Sequence, residues 1–109
     1  MTKRPWIEHY PADVPQDIAD FGFKNLPDLF KASSIEYAKQ KAFTQVMPNG
    51  MNGSLTYAQV DQHSDSFARY LKEELGLKAG DRVAVQMPNC LSYPIVAIGI
   101  LKAGLVLVN

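Results

Sequence analysis

At 109 residues the chain is long enough for one domain around a single core and too short for two. Its 11 basic and 11 acidic residues cancel, and no Lys/Arg cluster points to nucleic acid or an anionic membrane surface. The single cysteine, Cys90, excludes an internal disulfide.

Residues 1–25 are punctuated by prolines and show neither period 2 nor period 3.6. They read as an N-terminal arm. The stretch MTKRPWIEHYPADVP has no apolar h-region of a secretory signal. Trp6, Ile7 and Tyr10 are too apolar for a free tail, so the arm is expected to be pinned down.

Residues 26–40 follow a helical pattern. Pro27 suits a first turn, Asp28 complements the positive helix end, and Leu26, Phe30, Ser33 and Tyr37 form one face. AFTQVM, residues 42–47, predicts a short strand. PNGMNGS follows with two Asn-Gly dipeptides, and Ser54-Leu55 returns as a second strand, giving a β-hairpin over about 42–56.

Thr56 begins the next helix as its N-cap. Gln59 completes a capping box, and Leu55 and Val60 occupy the positions of a hydrophobic staple. Val60, Ser64, Phe67, Leu71 and Leu75 predict the buried stripe, with Asp65–Arg69 and Arg69–Glu73 as i,i+4 pairs on the wet side. Gly76-Leu77 predicts a Schellman stop. After the turn KAGD, residues 82–87 (RVAVQM) predict a strand. Residues 92–103 predict a helix that is apolar nearly all round, with Gly99 allowing close backbone approach. Gly104 ends that helix and LVLV begins another strand. Residues 82–108 thus predict a parallel βαβ unit with a right-handed crossover, and the fold class is α/β. Residues 26–109 read as an incomplete α/β subdomain, cut short at its C-terminal strand. The apolar stretch 94–108 is interrupted by Lys102 and glycines and falls short of the ~20 residues a membrane span needs.

No candidate chemistry outweighs its plain structural reading. The glycines of Asn49-Gly50-Met51-Asn52-Gly53 lie between two strands with no Lys following, which favours a hairpin turn over a phosphate cradle. Cys90 precedes a helix N-terminus without a nearby histidine and reads as a small buried hydrophobe. His63 reads as a boundary residue, and His9 is uninformative; neither has metal-ligand spacing. Asp61, Asp65, Glu73 and Glu74 read as the solvated face of one helix. Asp81 reads as a turn residue able to accept backbone N–H bonds.

LTYAQV (55–60), GLKAGDRVAVQMPN (76–89) and GILKAGLVLVN (99–109) resemble, in order and spacing, the opening motifs of the acyl-adenylate-forming enzymes. That superfamily includes acyl-CoA synthetases, luciferases and adenylation domains of peptide synthetases. WIEHYPADVPQDI (6–18), Ala42-Phe43 and MPNCLSYPIVAIGILKAG (87–104) are similar to the bacterial long-chain fatty-acid–CoA ligases. The resemblance implies the N-terminal portion of the large domain of a protein several times longer. Such an enzyme uses ATP and Mg²⁺ to turn a fatty acid into an acyl-adenylate, and CoA then forms the thioester. It also implies that the phosphate loop, the nucleotide contacts and the mobile-domain lysine lie beyond residue 109. No catalytic, cofactor-binding or metal residue is therefore expected in this chain, which alone should bind none of ATP, Mg²⁺ or CoA and be inactive. Thr56 and Tyr57, Gly80-Asp81 and Lys102 to Gly104 read as scaffold.

Two alternatives stand beside this reading: a free-standing interaction or dimerisation module, and an adenylate-forming ligase for another carboxylate. The chain is expected to be cytoplasmic, with peripheral contact at the inner membrane left open. Its unpaired apolar strand 105–108 leads to an expectation of self-association, as a homodimer or higher.

Overall fold

The computed structural model describes residues 4–17 and 22–109. A 3-10 turn, Pro5–His9, is followed by α1 (Leu26–Glu36), β1 (Lys41–Val46), β2 (Asn52–Thr56), α2 (Tyr57–Glu73), β3 (Arg82–Ala84), α3 (Ser92–Lys102) and β4 (Val106–Val108). The α/β class, the hairpin and the parallel pair match the expectation. Predictions for residues 1–3 and 18–21 of the arm lie outside the described residues. Arg4 pairs with Asp17, while Trp6 and Tyr10 stay 55% and 42% exposed, so these two rings do not pin the arm to the fold.

α1 starts where Asn25 caps it: its Oδ1 accepts the Asp28 N–H at 2.9 Å, and Pro27 occupies the first turn, where a missing N–H costs nothing. This start turns Pro27, Phe30 and Ser34 inward. Leu26 and Tyr37 are exposed, which corrects the predicted 26–30–33–37 face. The helix also ends four residues early, because the segment after it caps α2. The Ala38 and Gln40 carbonyls accept the N–H groups of Ala58 and Tyr57, both at 3.1 Å. With the Gln59 N–H on Thr56 Oγ1 at 3.2 Å, the first three orphan donors of α2 are satisfied. Gln59 Oε1 accepts the Thr56 N–H at 2.9 Å, completing the capping box.

β1 and β2 pair antiparallel, with Phe43 opposite Leu55 and Thr44 opposite Ser54, whose hydroxyls bond at 2.8 Å. Only the first Asn-Gly makes the turn: Gly50 has φ +83°, while Asn52-Gly53 belongs to β2. β3 and β4 pair in parallel, Val83 opposite Leu107. β3 is shorter than predicted because, among the described residues, it pairs with β4 alone over a ladder three residues long, although the Val85 N–H still reaches the Val108 carbonyl at 2.8 Å.

α3 joins the two strands and is packed on nearly every side; residues 93–102 are all buried or half-buried. It closes with a Schellman motif. The Leu105 N–H reaches the Ile100 carbonyl at 3.1 Å and the Gly104 N–H the Leu101 carbonyl at 3.0 Å. The end of α2 is looser than predicted, since the Leu77 N–H returns to Leu71 at 3.1 Å, one residue wider than a Schellman closure. In the KAGD turn, Asp81 Oδ2 accepts the Lys78 N–H at 2.8 Å, as its turn assignment requires. The core joins α2, α3 and β4 through Ala68, Leu71, Ile100, Ala103 and Leu105. Phe67 is only half-buried and Leu75 is 52% exposed. Ala68 takes an inward place in the core instead.

Candidate functional site

Two features could carry chemistry: a set of charges between the helices and an apolar cavity beside it. Lys102 sits near the end of α3, on a helix otherwise without charge. A lone ammonium there must find partners or reach water. Its Nζ donates to Asp61 Oδ1 and Asp65 Oδ1, both at 2.7 Å, and to the Asp61 carbonyl at 3.1 Å. Lys31 Nζ on α1 donates to the other Asp61 oxygen at 2.7 Å. The side chains of Lys102 and Asp61 are 10% and 14% exposed, whereas Lys31 and Asp65 are half open to water at 54% and 50%.

One carboxylate therefore ties α1, α2 and α3 together. This corrects two expectations. Asp61 is not part of a solvated face, and Asp65 turns to Lys102 rather than to Arg69. Glu73, Glu74 and His63 are exposed. The signal that could have located the network was Lys102 itself, one charge inside an apolar helix.

Burial pushes the Asp61 carboxyl up. The hydrogen bonds from Lys102 and Lys31, reinforced by both charges, outweigh burial and hold it below the ordinary aspartate range. A depressed folded-state value means that its stabilisation is present above the unfolded pKa and lost as pH falls through the folded one. The stability gap between the native chain and Asp61→Asn is expected to be widest above about pH 4 and to narrow below it. Urea titrations across that range check this, and a pH-independent gap refutes it. Hydrogen bonding to Asp61 holds the Lys31 ammonium above the ordinary lysine range, so its stabilisation is lost only as pH rises past that range.

Beside Asp61, a cavity of about 290 Å³ opens between α1, β1 and α2. Its wall is mainly apolar, with Phe30, Phe43, Val60 and Ile98 among the lining residues. A second groove, about 380 Å³, runs between β1 and the start of α3 past Gln45, Asn89, Cys90 and Tyr93. Cys90 is half-buried there, not enclosed in the core, because it lies in the loop that crosses under β1. The Leu91 N–H in that loop reaches Gln45 Oε1 at 3.3 Å.

The glycine-rich stretch is built as a hairpin. The Met47 N–H bonds the Met51 carbonyl at 2.7 Å, the Gly50 N–H the Met47 carbonyl at 2.9 Å, and the Met51 N–H Asn49 Oδ1 at 3.1 Å. Those amides are engaged within the turn and do not form a phosphate cradle. Among the described residues, no group of three His, Cys, Asp or Glu is arranged to hold a metal ion, and no helix is long and apolar enough to cross a membrane.

The pattern of AMP-binding enzymes matches residues 31–109. The long-chain-fatty-acid–CoA ligase of Escherichia coli O6:H1 is 44% identical over 107 residues, covering 98% of this chain and 18% of the relative. The ligase of the same name from Haemophilus influenzae is 36% identical over 104 residues, covering 95% and 18%. The chain thus spans 18% of the length of these curated relatives. Among solved structures, the fatty acyl-adenylate ligase from L. pneumophila, in complex with acyl adenylate and pyrophosphate, superposes with a TM-score of 0.71. It is 28% identical, and the match covers 78% of this chain and 15% of that one. Sequence from the middle of α1 through β4 and the backbone that carries it agree, and the chain belongs to the AMP-binding enzyme family.

Proposed function

We propose that this chain is the N-terminal part of an ATP-dependent long-chain fatty acid–CoA ligase. In that reaction the fatty-acid carboxylate attacks the α-phosphorus of ATP, releasing pyrophosphate and forming an acyl-adenylate. The CoA thiol then displaces AMP to give acyl-CoA. The carrying observation is the 44% identity to a ligase of that name over 98% of the chain, the arm included.

ATP, Mg²⁺ and CoA belong to the reaction, but the residues present do not fit them. The glycine amides are engaged in a hairpin, and Asp61 and Asp65 are held by lysines. No step is therefore assigned to residues 1–109, whose part is to position the subdomain. The reading places the ligase in the cytoplasm, with peripheral contact at the inner membrane to supply its substrate.

The purified chain is expected to show no ATP–pyrophosphate exchange; exchange above background overturns its inactivity. A chimera in which residues 1–109 replace the matched stretch of the E. coli ligase should form long-chain acyl-CoA within about tenfold of the parent rate, a cost of roughly 1.4 kcal/mol. A folded chimera that forms none overturns the ligase reading.

The isolated chain is also inferred to self-associate. Among the described residues β3 and β4 have no further strand beside them, and Val106 and Val108 are 43% and 41% exposed. Parallel ribbons are ordinarily covered on both faces and paired at their edges. Light scattering should give a mass that rises with concentration, and a constant monomer mass refutes it.

A further inference from the structure

We propose that the cavity between α1, β1 and α2 seats an apolar segment of the polypeptide that the ligase relatives carry beyond the stretch matched here. The proposal rests on the ligase reading. Protein interiors rarely leave voids larger than a water molecule. At about 290 Å³ this cavity is roughly twice the size of an apolar cavity of about 150 Å³ that accommodates one benzene ring.

Its wall selects an uncharged occupant. Ser33 Oγ donates to the Leu29 carbonyl at 3.0 Å, and Ser34 Oγ to the Lys31 carbonyl at 2.8 Å. Both Asp61 oxygens are held by lysines, so the nearby charges cancel as pairs. Of the polar side chains on the wall, Tyr57 contributes the remaining hydroxyl. A small polar ligand needs several convergent polar groups to orient it, and this wall does not supply them.

Apolar side chains continue outward from the cavity. Leu29 and Phe43 on its wall are 37% and 42% exposed, and Leu26, on the same face of α1, is 54% exposed. Contiguous apolar surface of this kind marks a contact site. The source of the contact follows from length: the chain spans 18% of its relatives, so most of their polypeptide lies outside it.

The test uses the assembled chimera described above. Ser33→Cys, a near-isosteric change on the cavity wall, is labelled with a maleimide and located by peptide mass spectrometry. Ser64→Cys, at a fully buried position, sets the slow limit. The expected result is a Ser33→Cys rate within about tenfold of that limit. Labelling at the rate of the same variant in denatured chimera overturns the proposal. Protection that disappears on dilution also overturns it and assigns the cavity to a second copy.

An independent measurement is Ser33→Trp. If the cavity is occupied, the ring displaces the segment and lowers the Tm; an unchanged or raised Tm means an empty cavity and overturns the proposal. Acyl-CoA synthesis by the parent chimera is read alongside. An active enzyme with an open cavity refutes only this proposal, whereas a folded parent without activity refutes the ligase reading.

Discussion

Replacing Gly99 with alanine is expected to lower the unfolding free energy by about 2 kcal/mol, although alanine favours a helix interior by about 1 kcal/mol over glycine. The reason is the distance between α2 and α3. A Cβ at Gly99 would lie 2.8 Å from Phe67 Cδ1, 3.0 Å from the Ser64 carbonyl oxygen and 3.3 Å from Phe67 Cβ. The Phe67 ring can swing, but its Cβ and the Ser64 carbonyl cannot, because both are fixed by the backbone of α2. The two helices must therefore separate along the seam that carries Ala68, Leu71, Ile100 and Ala103. Gly99→Val should cost more, about 4 kcal/mol, which approaches the whole stability of a small domain. Urea unfolding of the two variants measures this. Gly99→Ala at or above native stability would show that the seam can yield.

Lys102→Met is expected to cost about 3 kcal/mol. Methionine keeps most of the packing of the lysine stem, so the loss belongs to the charge. Without Lys102, the 14% exposed Asp61 side chain has Lys31 as its one remaining lysine partner, and the Asp61 carbonyl loses one donor while keeping the Ser64 hydroxyl at 2.9 Å. Combining Lys102→Met with Asp61→Asn should recover part of the loss, since much of the cost is a buried carboxylate left short of partners. A double variant less stable than Lys102→Met alone would mean that the carboxylate stabilises the helices by another route. Lys31→Met, by contrast, should cost within about 1 kcal/mol, because the Lys31 ammonium is half open to water and its pairing is screened by water and salt.

These two positions show what could be read in advance. Gly99 was legible as a place of close approach, because a glycine in an apolar helix interior needs a packing reason. What it approaches was not legible, since nothing in α3 names Ser64 or Phe67. Lys102 is legible in the sequence as a helix-exit residue and reads there as scaffold. Its partners are carboxylates on α2 that local spacing assigned to solvent and to Arg69. The predicted line along α1 failed similarly. Its apolar residues permit more than one inward face, and the choice fell to the Asn25 cap together with the carbonyls needed at the start of α2.

The amino-acid sequence by itself determined the order of the elements and several of their ends: the Thr56–Gln59 capping box, the Asn49-Gly50 turn, the glycine stop at Gly104, and the strand–helix–strand order of residues 82–108. Each depends on residues within a few positions of one another, where backbone sterics and hydrogen bonding act without the rest of the fold. Tertiary structure alone decided which charges meet and where space is left. Asp61 is joined to Lys31 thirty residues earlier and to Lys102 forty-one residues later, and the cavity beside it exists only because α1, β1, α2 and α3 converge there without filling it. Coulomb attraction and packing act through space, and a linear pattern carries no record of which distant residues the fold will bring together.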